Sequence, residues 1–284
     1  MRFLAPDNLI TSRPSLHTGI ARNFSQSAYP TLWRGLKGLW CPSVGIQGRK
    51  LVDFSGNGRD GIFSTSMGSD AWVPSPWGWA LQYDGINDCV DLGVNVVDMN
   101  GDFTVMFRAY LEDITSNTYC GVGASVSGSG ASGYFMCIHR ADRGGYVLQS
   151  DTGPGTATYS SSPNRPAIAK QWHTILMRRT PTGLVMFQDD YVIIADGTNP
   201  TFVPSNTQNW AIGSYDPINV IVLFKGKIGD VMIWNRGLDG REMELLAQGY
   251  AHPLTLADSQ TFSKAGAAGS VSTAGSMMLM GLGN

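Results

Sequence analysis

The chain has 284 residues, of which 43% are hydrophobic and 15% are charged, and its formal net charge at pH 7 is -2. This composition excludes an intrinsically disordered chain, and a near-neutral charge without clustered Lys and Arg excludes a nucleic-acid groove. We therefore expect no nucleic-acid partner. No run reaches the roughly 18 apolar residues of a membrane helix, so we expect no membrane partner either.

The first segment, residues 1–35, contains four arginines and one aspartate and shows no sustained hydrophobic periodicity. We therefore expect an extended, basic N-terminal arm. Arg2, Pro6 and Asp7 interrupt the region in which a secretory signal needs an uninterrupted apolar run. The sequence accordingly predicts a protein made in the cytoplasm without a signal peptide.

The middle segment, residues 36–250, alternates apolar and polar residues in short runs that Gly, Pro, Asn and Asp interrupt, which is typical of strands. The clearest runs are 103–111, 134–139, 146–149, 172–178, 184–187, 191–195, 210–213 and 227–234. Turn residues at 182–183 and 189–190 predict an antiparallel meander. One helix is expected over 238–248, with Asp239 as its cap. We predict an all-β protein with a two-sheet antiparallel jelly-roll sandwich and one short C-terminal helix.

The last segment, residues 251–284, is rich in Gly, Ala and Ser and ends in a Met-rich run. Such a tail cannot by itself bury enough apolar surface to offset its ordering entropy. Either the sandwich of the same chain or neighbouring subunits must therefore hold the flanking arms, 1–35 and 251–284, and we expect contacts with copies of this chain and with other subunits.

Four cysteines, Cys41, Cys89, Cys120 and Cys137, lack the paired spacing of a metal site. Synthesis in a reducing cytoplasm predicts buried free thiols. A pairing of Cys120 with Cys137 across a hairpin, formed after release from the cell, stays open as an alternative.

Several motifs occur in a fixed order: Gly-Leu-Trp at 38–40, a turn-rich segment at 52–61, a hairpin at 80–90, Phe-Thr-Val at 103–105, and a strand that leads into the helix at 226–238. In this order the chain resembles the laminin G-like, concanavalin A-like lectin and glucanase superfamily. The resemblance implies a concanavalin A-like sandwich, and it opens three questions about function: a calcium ion, a hydrolase site and a glycan site.

Calcium is considered because proteins similar to this one often carry a structural Ca²⁺ near the motif loops. Oxygen ligands of the kind that Ca²⁺ requires are available on these loops, and the candidates are Asp53, Asn57, Asp60, Asp84, Asp88 and Asp230. The chain departs from the family at Gly229-Asp230, where relatives commonly read Asp-Glu. The alternative is that these side chains stabilise turns through hydrogen bonds to the backbone.

A hydrolase needs two carboxyl groups that flank the scissile bond. The Glu-x-Asp-x-x-Glu strand motif of glucan-cleaving relatives does not occur in the sequence, Glu112 and Asp113 lie at a strand end, and Glu242 and Glu244 lie on the helix. His173, beside Trp172 in a strand, is interpreted as structural. We therefore expect a protein that is not an enzyme.

Glycan binding requires exposed aromatic faces with polar neighbours. The candidates are Trp72, Trp77 and Trp79 in a Pro-rich loop, together with Tyr215; packing of the loop tryptophans against the N-terminal arm is the alternative. The remaining tryptophans lie within strand patterns and are assigned to the core: Trp40, Trp172, Trp210 and Trp234.

Together these features favour a non-enzymatic structural component of a tailed-phage virion, either a capsid decoration or part of a fibre or tail appendage. It would stand at the virion surface, with host-surface glycans as candidate ligands. The alternative is a free-standing carbohydrate-binding lectin of a bacterium.

Overall fold

A computed structural model describes residues 20–99, 101–115, 118–126, 135–141, 145–151, 157–161, 166–189, 191–196, 208–214, 216–218 and 222–257. These residues form two antiparallel sheets and one α-helix, which confirms the predicted all-β sandwich. Among the described residues, no helix is long and apolar enough to cross a membrane.

The first sheet has the order β14-β13-β12-β7-β16-β5-β4, and β1 also pairs with β16. Its strands are β1 (Leu36–Trp40), β4 (Trp72–Ser75), β5 (Gly78–Asp84), β7 (Phe103–Leu111), β12 (Trp172–Thr180), β13 (Gly183–Gln188), β14 (Tyr191–Asp196) and β16 (Lys225–Trp234). The predicted meander is present as β12, β13 and β14, which pair as consecutive hairpins.

The second sheet has the order β11-β10-β9-β8-β15-β6-β3-β2. Its strands are β2 (Lys50–Leu51), β3 (Gly61–Phe63), β6 (Val90–Val94), β8 (Thr118–Val126), β9 (Phe135–Arg140), β10 (Gly145–Asp151), β11 (Ala157–Ser161) and β15 (Gln208–Ile212). Cys120 and Cys137 lie on the paired strands β8 and β9, and all four cysteines are buried free thiols.

The main core fills the space between the sheets. Along β7 the residues that point inward, including Phe103, Val105 and Phe107, are buried in this core because successive side chains of a strand point to opposite faces. The opposite face of the first sheet, called the outer face here, also buries side chains, including Met106.

A second apolar cluster covers one half of the outer face. It combines Met106, Leu176 and Trp234 of the sheet with Met243 and Leu246 of α1 (Gly240–Ala247). Asp239 caps α1 as predicted: its side chain accepts from the backbone N–H of Glu242 at 2.8 Å, and Glu242 completes a capping box.

The described parts of both predicted arms, residues 20–35 and 251–257, fold onto the domain. The backbone N–H of Ala21 donates to Leu254 O at 3.0 Å, and that of Ala28 donates to Thr255 O at 2.8 Å. Leu32 and Leu254 are buried in the second cluster. The sequence leaves this packing as one of two alternatives, because a few isolated apolar anchors produce no periodicity. The rest of each arm, 1–19 and 258–284, lies outside the described residues.

Candidate functional site

The six predicted calcium ligands lie in three separate places. Asp53, Asn57 and Asp60 share the connection between β2 and β3. The Asp53 carboxylate accepts from three backbone N–H groups at 2.8 to 3.0 Å, those of Leu39, Ser55 and Arg59. Asp60 accepts from the Asp53 N–H at 3.0 Å and forms an exposed ion pair with Lys50. These hydrogen bonds stabilise the turn, which is the role considered for this loop as the alternative to calcium binding.

The second place is the hairpin between β5 and β6, which carries Asp84 and Asp88. Asp84 accepts from the backbone N–H groups of Ile86 at 2.7 Å and Asn87 at 3.2 Å, and Asp88 accepts from the Asp84 N–H at 3.0 Å. Burial raises the pKa of the Asp88 carboxyl. Both carboxylates therefore support the turn, and the structure does not bring them together with Asp53 or Asp230 in one calcium site.

The third place is the outer face of the first sheet, where Asp230 of β16 is buried. Its carboxylate lies 3.0 Å from Arg108 Nη1, accepts from the Ser43 N–H at 3.3 Å, and lies 3.6 Å from His252 Nε2. Burial opposes ionisation, but the contacts with His252 and Arg108 outweigh it and hold the pKa of Asp230 well below its usual range. Asp230 is therefore the anion of a buried ion pair.

Cys41 joins this network, because its Sγ lies 3.7 Å from His252 Nε2. Cys41, Asp230 and His252 have the donor atoms of a transition-metal site. However, His252 Nδ1 accepts from the Leu254 N–H at 3.1 Å, so the neutral ring carries its proton on Nε2, the nitrogen that would have to bind the metal. Burial also raises the pKa of the Cys41 thiol, and Arg108 already neutralises Asp230. We assign the cluster to a buried hydrogen-bonded ion pair.

The predicted glycan-binding tryptophans occupy different environments. Trp72 is only 5% exposed, and its indole N–H donates to Gly48 O at 2.8 Å, so its ring faces belong to the main core and cannot stack on a sugar. Trp79 packs against the same core. Trp77, in the turn between β4 and β5, is half-buried. Tyr215 lies outside the described residues.

Strand register places four half-buried side chains side by side on the half of the outer face that lies outside the second cluster, called the uncovered half here. Gln82 of β5 is opposite Lys227 of β16, Lys227 is opposite Tyr110 of β7, and Tyr110 is opposite Trp172 of β12. Three interstrand steps of 4.7–4.9 Å make this row about 14 Å long. Its rings lie close together, with 5.6 Å between the centroids of Tyr110 and Trp172.

Trp77 extends this row beyond Trp172, with the two ring centroids 5.2 Å apart in an edge-to-face contact. Arg108 Cζ lies 4.5 Å from the Trp77 ring centroid, so the buried Asp230–Arg108 pair positions this tryptophan from below. We call Gln82, Lys227, Tyr110, Trp172 and Trp77 the aromatic row.

Trp40, Trp210 and Trp234 are fully buried, as predicted. The assignment of Trp172 to the core was wrong, because this residue is half-buried at the start of β12 and points to the outer face. Tyr110 and Lys227 were missed. Alternation gives a signal for Tyr110, since it lies four residues after the outward Met106 on the same strand.

Two of the groups considered for hydrolysis, Glu242 and His173, have structural partners. The Glu242 carboxylate receives two hydrogen bonds from the Arg236 guanidinium, at 2.6 and 2.8 Å. His173 Nδ1 lies 2.9 Å from Asp189 Oδ2, while its Nε2 accepts from the Ile168 N–H at 3.1 Å. Both ring nitrogens of His173 thus hold backbone and carboxylate groups of the fold, in agreement with its structural interpretation.

A polar concavity of about 330 Å³ lies where β1 begins and β6 and β16 end. Its lining includes Lys37, Asn57, Arg59, Asn95 and Asn235. The lining side chains are polar or aliphatic, so this concavity offers no ring on which a sugar can stack. The aromatic row lies at the other ends of β7 and β16 and provides such rings.

Comparison with known proteins places part of the sequence in a family. A family model described as the concanavalin A-like lectin/glucanases superfamily matches residues 84–243. No curated protein matches the sequence.

Three solved structures illustrate the likeness of fold. Domain 4 of an extracellular arabinanase from Geobacillus stearothermophilus, in complex with arabinotriose, has a TM-score of 0.60 at 16% identity, over 75% of this chain and 98% of that one. Trypanosoma rangeli sialidase has a TM-score of 0.54 at 13% identity, over 74% of this chain and 32% of that one. The receptor-binding domain of botulinum neurotoxin C/D mosaic serotype has a TM-score of 0.54 at 10% identity, over 76% and 51%. At these identities the likeness is one of fold.

Proposed function

The chain belongs to the concanavalin A-like lectin/glucanases superfamily, and from that premise we propose that it binds carbohydrate, without cleaving it, on the aromatic row. The observation that carries this proposal is the row of half-buried rings and polar side chains on the uncovered half of the outer face. Pyranose and furanose rings present C–H faces that stack on aromatic rings, and their hydroxyls hydrogen-bond to amide and ammonium groups. The similar fold of an arabinanase domain in complex with arabinotriose supports this reading.

The proposal leaves catalysis out because the aromatic row itself contains no carboxylate. Asp230 is paired with Arg108, and Glu242 with Arg236. Within the aromatic row the polar side chains are an amide and an ammonium group, whereas glycoside hydrolysis needs two carboxyl groups on either side of the bond. The row can hold a sugar, but it has no acid–base pair to cleave one.

Substitution of the row tests this function. Trp172→Ala and Trp77→Ala should each weaken retention on a glycan array at least about tenfold, because each removes a stacking face. Phe24→Ala is the matched control, since Phe24 is an aromatic residue of the N-terminal segment that is 64% exposed, outside the row. Unchanged binding by both tryptophan variants, or no retention of the parent protein on any glycan, would contradict the proposal.

We further propose that the protein is a structural component of a tailed-phage virion, displayed at the virion surface and carrying the lectin-like domain as a capsid decoration or a fibre or tail appendage. The position of the flanking segments supports this, because residues 1–19 and 258–284 join the domain at neighbouring points, next to Ala21 and Ala257. Through these segments it would contact copies of itself and other virion proteins. A free-standing bacterial lectin is the alternative, and mass spectrometry of purified particles separates the two: only the virion component is present at many copies per particle.

A further inference from the structure

Resting on the proposed carbohydrate function, we propose that the aromatic row selects glycans that carry an anionic group, a carboxylate or a sulfate, and that Lys227 pairs with that group. Lys227 lies inside the row between Gln82 and Tyr110. A ligand stacked on Tyr110 and Trp172 would therefore place one of its substituents next to the ammonium group. The choice of ligand class follows from how this ammonium group is held and from what surrounds it.

The Lys227 ammonium is held in place by the row itself. Its Nζ lies 4.8 Å from the centroid of the Tyr110 ring, within the range of a cation–π contact. The side chain is half-buried, so its aliphatic stem lies along the sheet while the charged end reaches the surface. A cation fixed in this way loses less side-chain entropy on binding an anion than a lysine that projects freely into solvent.

Among the described residues, the neighbouring cations have carboxylate partners, whereas Lys227 has none within ion-pair distance. Lys225 Nζ lies 3.9 Å from Asp113, and Arg108 is paired with Asp230. Within the part of the chain that the structure describes, Lys227 has no carboxylate within 4.0 Å of its Nζ. The row therefore carries one uncompensated positive charge beside two stacking rings, which is complementary to an acidic sugar.

The size of the effect follows from hydrogen-bond energetics. The Lys227 ammonium forms an ion pair with an anionic glycan but only a charge–dipole hydrogen bond with a neutral hydroxyl, and the ion pair is the stronger of the two. For a partly exposed site we therefore expect about tenfold tighter binding of an anionic glycan than of its neutral counterpart. Because salt screens an exposed ion pair, this preference should shrink as ionic strength rises.

The experiment compares the full chain with Lys227→Met on two matched ligand pairs. The first pair is an oligogalacturonate and its methyl ester, which differ in the carboxylate charge and in one ester methyl group per residue; the second is a sulfated dextran and the unmodified dextran. Methionine keeps an apolar stem over Tyr110 and removes the charge. We expect the full chain to prefer the anionic member of at least one pair about tenfold, and Lys227→Met to bind the two members of each pair equally.

Two further variants separate a specific site from general attraction. Lys227→Arg keeps the charge and should keep the preference. Lys225→Met removes a neighbouring, paired lysine and should leave the preference unchanged. Equal binding of anionic and neutral ligands by the full chain, or a preference that survives in Lys227→Met, would overturn the inference while leaving carbohydrate binding in place. Loss of retention for every glycan would instead overturn the proposed function itself.

Discussion

Arg108 connects the buried interior of the outer face to its exposed aromatic residues. Its Nη1 lies 3.0 Å from the Asp230 carboxylate, and its Cζ lies 4.5 Å from the centroid of the Trp77 ring. A buried pair of this kind adds little net stability, but breaking it leaves an isolated charge. At the scale of single residues, the pair therefore serves to orient Trp77 and the aromatic row beside it.

His139 makes the pH dependence of stability predictable. Burial lowers its pKa to about 4, whereas an unfolded histidine titrates near 6.5. As the pH falls from about 6.5 to 4, the unfolded state binds a proton that the folded state does not, so the free energy of unfolding should fall by about 3 kcal/mol. An NMR titration of the histidine rings measures the pKa of His139 in the folded state, on which this change depends. A midpoint near 6.5 for His139 would show that the ring is not shielded as the structure indicates.

Among the secondary-structure elements, β7 and β16 are the most deeply buried strands of the first sheet. They lie at its centre, and both faces of their middle parts are covered. Their pairing shifts register between Ile228 and Val231, next to the buried Asp230. At the start of β16, Gly226 has a φ of +142°, a value that favours glycine.

Replacement of Gly226 by alanine should therefore be costly. A Cβ at this position would lie 2.0 Å from Tyr110 O, inside the β7–β16 pairing. We expect Gly226→Ala to lower the free energy of unfolding by at least about 2 kcal/mol. Gly240→Ala is the control, because a Cβ at this first residue of α1 has open space. Urea unfolding measures both, and equal midpoints for the two variants would contradict this view of the strand.

The strands and the helix could be predicted from sequence because their signals are local. Alternation marked β7, β12 and β16, and Asp239 marked the start of α1. The site was harder to predict because it depends on which half of a sheet face another layer covers. Trp172 and Trp234 both lie in apolar strand patterns, yet the second cluster covers Trp234 and leaves Trp172 half-exposed. Such coverage comes from distant segments, and no local pattern records it.

At the scale of the whole molecule, residues 20–35 and 251–257 are part of the domain. The indole N–H of Trp234 donates to Leu32 O at 2.7 Å, and the indole N–H of Trp33 donates to Pro253 O at 2.9 Å. These contacts close the second cluster over the sheet. The folded unit therefore includes residues on both sides of the segment 36–250 that charge and composition indicated.

Two truncations test this boundary. A fragment of residues 20–257 should retain the melting temperature of the full chain, because it keeps the whole second cluster. A fragment of residues 36–250 lacks Leu32 and Leu254, both fully buried in that cluster, and should lose several kcal/mol of stability. Thermal unfolding by circular dichroism compares them. Equal melting temperatures would show that the flanking residues only rest on the surface.

The pairing of these two flanking stretches also decides how the domain responds to tension. Ala257 N–H bonds to Gln26 O, and Ser27 forms an antiparallel bridge with Leu256, so both chain ends leave on the same side. A force applied at residues 20 and 257 would break the hydrogen bonds of this short ladder one after another. The sheets and the aromatic row would carry no load until this ladder had parted.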